Sequence, residues 1–263
     1  MLQNERCQAI YEILQERGQV SSRYLQKRLF SSEATIRRDL EAMERRGMLK
    51  RVWGGAVLET SEHDLPSFVR LKTNQDKKEK IAALAAPLLR NAMTIFLDSS
   101  TTCLALVPYL APLKDITVIT NSLKMSKTLS DRTNAAIYVL GGQIFEGHIL
   151  CGYQAVQNVG EFHADTVFFS CSGISAGAGI TSIEPRVIEV VRAMMRCSEK
   201  KVLLCDTSKI GKTAPLRLAE LSVPDAVVMD AFPQEDPALA EALGGRLICA
   251  QQDSSAANQG RQA

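Results

Sequence analysis

Seven short apolar, β-prone runs recur between residues 94 and 250: TIFLD (94–98), ITVIT (116–120), AIYVLG (136–141), TVFFSC (166–171), KVLLCD (201–206), AVVMD (226–230) and RLICA (246–250). Stretches of helical spacing fill several gaps, at about 101–110, 122–130, 153–161, 184–198 and 237–243. A strand with one face in water alternates apolar and polar side chains. These runs are apolar nearly throughout, so both of their faces must be covered. Strands alternating with helices then predict a mostly parallel sheet with helices on both sides, an α/β domain over residues 76–250.

The chain before residue 60 follows another period. ERCQAIYEILQER (5–17) places Ala9, Ile10, Ile13 and Leu14 at helical spacing, and Gly18 supplies a C-cap. Ser21 caps a second helix with Tyr24, Leu25 and Leu29 inward. Ser32 caps a third with Ile36, Leu40 and Met43 inward. After Gly47, MLKRVWGGAVLE brackets Gly54-Gly55 with β-prone residues, as in a two-stranded hairpin. Three short helices and a hairpin make a winged helix-turn-helix, expected over residues 1–58. Residues 59–75 read as a linker with some contact of its own around Phe68. A helix follows at about 75–90, kinked or ended by Pro87. The tail at 251–263 has no periodicity and is expected to be disordered.

Charge is uneven along the chain. Residues 20–53 hold nine Lys or Arg against four Asp or Glu, a local +5 in a chain whose net charge is +2. A compact basic segment joined to a slightly acidic remainder suits a nucleic-acid module, or more plainly a solvated helix face. In a helix-turn-helix the third helix enters the major groove with its start nearest the bases. With Ile36, Leu40 and Met43 inward, Ser32, Glu33, Thr35, Arg37 and Arg38 lie on or beside the outward surface. Ser32 and Thr35 suit phosphates, and the two arginines suit guanine edges or phosphates. Arg45 and Arg46 lie too far along and are read as a solvated last turn favoured by the helix dipole. Lys50 and Arg51 enter the hairpin, where backbone or minor-groove contact is expected. Trp53 fits two roles, packing the hairpin onto the helices or touching sugar–phosphate.

SEATIRRDLEAMERRGMLKRVWGGAVL resembles the N-terminal signature of the DeoR family of bacterial transcriptional regulators. The matching core is Thr35-Ile36-Arg37-Arg38-Asp39-Leu40, then Gly47, Leu49, Arg51 and Gly54-Gly55-Ala56. Trp53 stands where that family usually has histidine, and Ser31 where it has a β-branched residue. The resemblance implies binding to a double-stranded DNA operator.

The ends of the apolar runs are polar. Asp98, Ser99, Ser100, Thr101 and Thr102 close one strand and open a helix, a site suited to an anion or simply to capping. Asn121-Ser122, Ser172-Gly173 and Asp206-Thr207-Ser208-Lys209 close three more, and loops beyond the carboxyl ends of parallel strands converge. Lys209 is a natural counter-charge for phosphate. Asp98 and Asp206 suit sugar hydroxyls or loop caps, and Gly141-Gly142 either admits backbone to a ligand or ends a strand. These short motifs resemble, in order, those of the DeoR C-terminal domain. That implies a sugar-phosphate-isomerase-like fold, a phosphorylated sugar or related metabolite as effector, and a homo-oligomer, dimer or tetramer. Ser100 stands in place of the family's usual glycine, Phe145 near a usual basic residue, and SCSG (170–173) departs from a glycine-first version.

The function expected is a DNA-binding regulator, a repressor of a sugar or carbohydrate operon, with no catalytic residue, cofactor or metal. The alternative is a sugar-phosphate isomerase-like enzyme fused to a DNA-binding module. An isomerase needs a placed general base, yet no acid–base pair stands out, and His63, His148 and His163 lie outside the motif loops. A cysteine redox sensor ranks last. The seven cysteines (Cys7, Cys103, Cys151, Cys171, Cys197, Cys205 and Cys249) form no C-x-x-C, and no spacing brings two together. They suit reduced, mostly buried thiols. The opening MLQNERCQAI lacks the apolar core of a signal peptide and no run reaches membrane-spanning length, so a cytoplasmic location is expected.

Overall fold

The structure is a computed structural model that describes residues 3–45, 48–57 and 70–250. Arg46, Gly47, most of the linker including His63 and Phe68, and the tail after residue 250 lie outside the described residues. The chain divides into two compact units, residues 1–73 and 74–263, each taken by itself.

In the first unit α1 (Gln3–Arg17), α2 (Ser22–Leu29) and α3 (Glu33–Arg45) follow the expected capping signals. Gly18 ends α1 at φ +71°, its N–H donating to the Leu14 carbonyl. Ser21 Oγ accepts from the Tyr24 N–H at 3.2 Å and Ser32 Oγ from the Thr35 N–H at 3.2 Å. Ile10, Leu14, Leu25, Ile36, Leu40 and Met43 are buried together with Met48, Leu49 and Ala56 of the wing. The wing has a third strand that the sequence pattern does not signal. β1 (Gln19–Ser21), β2 (Lys50–Val52) and β3 (Gly55–Val57) form an antiparallel sheet in the order β1-β3-β2. Gly54 turns the hairpin at φ +80°, and a Cβ on Gly55 would overlap the Val20 carbonyl of β1.

The second unit opens with α4 (Gln75–Ala85), ended where Pro87 enters a short turn of tighter helix at Ala86–Leu88. All seven apolar runs become strands: β4 (Thr94–Leu97), β5 (Thr117–Thr120), β6 (Ala136–Val139), β9 (Ala164–Phe169), β12 (Ser198–Leu204), β14 (Ala226–Met229) and β15 (Leu247–Cys249). They build one parallel sheet in the order β15-β14-β12-β9-β4-β5-β6. Alternate residues enter opposite layers. Phe96, Val167, Phe169 and Leu203 pack on one face, and Ile95, Leu97, Phe168, Val202 and Leu204 on the other.

The helices between the strands are α5 (Thr101–Leu104), α6 (Val107–Leu110), α7 (Leu123–Arg132), α8 (Tyr153–Val159), α9 (Pro185–Arg196) and α10 (Pro237–Leu243). The single helix expected at 101–110 is therefore two, with Pro108 in the opening turn of the second. Strand β9 starts two residues earlier than the run TVFFSC and ends at Phe169, which leaves Ser170 and Cys171 in the loop. Two small antiparallel pieces carry no sequence signal at three or four residues per strand. They are the hairpin of β7 (Gln143–Phe145) with β8 (Ile149–Cys151), and a sheet of β10 (Gly173–Ser175), β11 (Gly179–Ser182) and β13 (Leu216–Ala219).

The strand order fixes where a ligand can sit. From β4 the chain steps outward to β5 and β6, then returns to β9 on the other side and continues to β12, β14 and β15. The direction reverses between β4 and β9. At such a switch point the flanking loops diverge and leave a crevice beyond the strand ends.

Candidate nucleic-acid interface and ligand site

On α3, Ser32, Glu33, Arg37 and Arg38 are exposed and Thr35 is half-buried. Ser32 and Thr35 hydroxyls are bonded to each other at 2.8 Å, so the cap is ordered before any partner arrives. Arg37 Nε donates to Glu41 at 3.1 Å and holds that carboxyl below the usual carboxylate range. Arg38 engages no side chain among the described residues. Arg45 Nε reaches the Glu41 carbonyl at 3.4 Å, a cation on the last turn of the helix.

Arg51 is tied to α3. Its guanidinium lies 3.1 Å from Glu41, and its N–H donates to Glu44 at 2.8 Å, so the wing strand is docked on the helix that precedes it. Lys50 is exposed beside it. Trp53, at the hairpin tip, is 104% exposed. It packs onto nothing among the described residues of its unit, which removes the first of its two expected roles. Sequence reasoning missed Asp39. It sits between Arg38 and Leu40 on the outward-reading stretch, yet it is buried against Arg6 of α1. A buried carboxylate that needs a partner from another helix has no local signal.

In the second unit the polar strand ends do meet. Asp98, at the end of β4, is buried, and its two oxygens bridge the switch point. Oδ1 accepts from the Ser100 N–H at 2.9 Å, and Oδ2 accepts from the Ser170 N–H beyond β9 at 2.9 Å. Burial pushes the Asp98 carboxyl up, and the hydrogen bonds from Ser100 and Ser170 oppose it. Ser170 Oγ in turn donates to the Leu204 carbonyl of β12 at 2.7 Å. Three strand ends are thus held in one network.

The four hydroxyls after Asp98 are not equivalent. Ser100 Oγ caps α5 by accepting from the Cys103 N–H at 3.1 Å, and Thr102 is buried 3.5 Å from Ser170 Oγ. Ser99, Ser100 and Thr101 are all half-buried. Capping therefore accounts for Ser100, and the contact with Ser170 for Thr102.

Asn121 and Ser122 end β5 and are buried. Ser122 Oγ caps α7 by accepting from the Met125 N–H at 3.2 Å. Asn121 Nδ2 donates to the Leu150 carbonyl at 3.2 Å, which fixes the amide's orientation. Its Oδ1 is fully buried with no hydrogen-bond partner among the described residues. A buried acceptor left unpaired costs about 1–3 kcal/mol.

Asp206 ends β12 and caps the turn Thr207–Lys209, accepting from the Ser208 N–H at 3.0 Å and from the Ser208 hydroxyl. The same turn is held by Asp230, which accepts from the Thr207 N–H at 2.7 Å, and by Lys77, whose Nζ donates to Thr207 Oγ1 at 2.8 Å. Asp230 and Lys77 were not expected there, because the adjacency of β14 to β12 brings in the first and the packing of α4 the second. Lys209 is half-buried on this turn.

The glycines have packing reasons. Gly141 donates to Asn158 Oδ1 at 2.9 Å, and Gly142 at φ +139° leaves no room for a Cβ beside the Cys151 carbonyl, 2.6 Å away. Gly173 is where the Lys212 carbonyl passes too close for any side chain. Near Phe145 a cation is present after all. The Arg186 guanidinium from α9 lies 4.7 Å from the ring centroid and pairs with Glu184 at 2.6 Å. His148 bonds the Glu146 carbonyl, and His163 lies on the surface near Glu199. Among the described residues no helix is long and apolar enough to cross a membrane.

Known proteins match both halves. Residues 6–62 match the DeoR-like helix-turn-helix domain, and residues 73–231 match the DeoR C-terminal sensor domain. The chain is 34% identical over 237 residues to the HTH-type transcriptional repressor GlcR of Bacillus subtilis, covering 89% of this chain and 91% of that one. It is 30% identical over 235 residues to the glycerol-3-phosphate regulon repressor of Escherichia coli, covering 89% and 93%. Among solved structures it is similar to ribose 5-phosphate isomerase A of Methanocaldococcus jannaschii, at 18% identity and TM-score 0.38, over 52% of this chain and 55% of that chain.

Proposed function

This chain belongs to the DeoR family of transcriptional regulators, with an N-terminal helix-turn-helix domain that binds DNA and a C-terminal sensor domain, and on that premise we propose that it represses a carbohydrate operon under the control of a phosphorylated sugar or related metabolite. Relatives at 34% and 30% identity are named as transcriptional repressors, not enzymes. One of them is named for a phosphorylated polyol regulon, which supports a ligand of that class.

The observation that carries the ligand reading is Asn121 Oδ1, a fully buried acceptor without a partner among the described residues, at the carboxyl end of β5. A sugar hydroxyl is a donor that would satisfy it. Ser99, Thr101 and Lys209 supply hydroxyls and positive charge for the phosphate. Ser100, Thr102, Ser122, Asp98 and Asp206 order the loops around it, Gly142 and Gly173 let neighbouring backbone pass close, and Gly141 leaves room for the Asn158 side chain.

In the DNA-binding unit Ser32, Thr35 and Lys50 hold phosphates, and Arg37 and Arg38 read bases. Glu41 orients Arg37 and Arg51 together, and Trp53 meets sugar–phosphate from the wing. A homodimer or tetramer places two such helices in successive major grooves, about 34 Å apart. Ligand that prefers the low-affinity conformation weakens operator binding, and DNA weakens ligand binding by the same factor.

A thermal-shift series with phosphorylated sugars and polyols tests the ligand. A specific binder raises the melting temperature by mass action, and Asn121→Leu is expected to abolish that rise. A rise of equal size in the variant would sink the assignment. Repression is tested by a reporter under the operator, with release expected when the same metabolite is added.

A further inference from the structure

No spacing in the sequence links Cys171 to Cys205, yet their sulfurs lie 3.6 Å apart. The register is the cause. β9 and β12 pair in parallel with Leu203 opposite Phe169. Two residues further along, side chains return to the same face, so Cys205 falls opposite Cys171. Both cysteines accordingly join the layer that holds Phe169 and Leu203. They lie just past the last residues of their strands, and the Cys205 N–H still donates to the Val228 carbonyl of β14 at 3.0 Å. All seven cysteines are free thiols in this structure. Cys205 is buried and Cys171 is partly exposed.

We propose that Cys171 and Cys205 form a peroxide-oxidisable dithiol, a modification site on the strand ends that frame the ligand cluster. Hydrogen peroxide or an organic peroxide oxidises the Cys171 sulfur by two electrons. The S–O bond forms, the O–O bond breaks, and water or an alcohol leaves with the thiol proton. The Cys205 sulfur then attacks the Cys171 sulfur. The S–S bond forms, the S–O bond breaks, and the Cys205 proton leaves with the hydroxyl as water.

Burial divides the roles. Cys171 is the sulfur that a peroxide reaches. Contact with Cys171, together with burial, pushes the Cys205 thiol well above its ordinary range, which keeps it protonated and inert until its neighbour is oxidised. Bond formation draws the sulfurs from 3.6 Å to about 2.05 Å. The neighbours of the two cysteines move with them. Ser170 ties Asp98 to Leu204, and Asp206 caps the turn that carries Lys209. Oxidation thus narrows the gap between the Ser170 loop and the Lys209 turn.

The test is peptide mapping of the full chain, reduced, exposed to stoichiometric hydrogen peroxide, alkylated and digested. The expected product is one linked peptide joining Cys171 to Cys205, lighter than the two free peptides by two hydrogens and reversed by dithiothreitol. Cys205→Ser is expected to accumulate a sulfenic acid at Cys171 that dimedone captures, and Cys171→Ser to leave Cys205 reduced. Should either variant fail to fold, the wild-type map decides alone. A Cys171 that stays unmodified, passes to sulfinic acid without pairing, or pairs with another cysteine overturns the proposal, as does dimedone capture at Cys205. No readout involves a metabolite, so the result stands apart from the ligand reading.

Discussion

Arg6 of α1 grips Asp39 of α3 with two bonds, Nε to Oδ2 at 2.7 Å and Nη2 to Oδ1 at 3.3 Å. The side chains are 14% and 2% exposed, so the pair is largely withdrawn from water. It fixes the rotation of α3, because Asp39 inward leaves Arg37 and Arg38 outward. Removing one partner of a buried pair strands the other charge, which costs far more than an exposed pair is worth. Asp39→Ala should therefore lower the stability of the DNA-binding unit by about 3 kcal/mol in chemical denaturation. An effect below about 0.5 kcal/mol, the size of an ordinary surface substitution, would show that the pair is not what orients α3.

The arginines of α3 should separate in binding assays. Arg38, exposed and engaging no side chain among the described residues, should lose about 1–3 kcal/mol of operator affinity on conversion to alanine, with Arg37→Ala in the same range. Arg45 is spent on the Glu41 carbonyl, and Arg45→Ala should change affinity by about 0.5 kcal/mol or less. Fluorescence anisotropy on an operator selected from random oligonucleotides measures all three. Equal losses at Arg38 and Arg45 would mean that the far end of the helix docks as well.

Asp98 makes a pH-dependent contribution of calculable sign. Burial raises its folded-state pKa above the unfolded value of about 3.9. The native state therefore holds this proton more tightly. The resulting stabilisation is complete below about pH 4 and is lost as pH rises through the folded value. Asp98→Asn cannot titrate, and its single acceptor oxygen can serve only one of the Ser100 and Ser170 N–H groups. The variant should be less stable throughout, by a margin that shrinks as pH rises from about 4. Denaturation curves across pH would refute this if the margin grew.

Phe30 ends α2 in the left-handed region at φ 48°, ψ 45°, and its ring is 96% exposed. A bulky side chain there costs about 1–2 kcal/mol of backbone strain and gains little from packing. Glycine removes the strain but loosens the unfolded chain, which offsets part of the gain. Phe30→Gly should raise stability by roughly 0.5–1 kcal/mol, seen as a higher melting temperature. A fall would mean that the ring is held by a partner.

Local pattern was enough for much of this protein. Capping serines at 21 and 32, the Gly54-Gly55 turn and seven apolar runs are signals written within a few residues, and each predicted its element. The polar strand ends were legible too, because a parallel sheet gathers its loops at one edge. Tertiary structure alone decided which strands are neighbours. Strand order puts β4 beside β9, β9 beside β12 and β12 beside β14, and that adjacency bonds Asp98 to Ser170, sets Cys171 against Cys205 and hands Thr207 to Asp230. It also leaves Asn121 Oδ1 buried and unpaired. Residues 23 to 72 positions apart carry no shared period, so these pairings follow from packing two apolar faces of one sheet, which only the folded chain does.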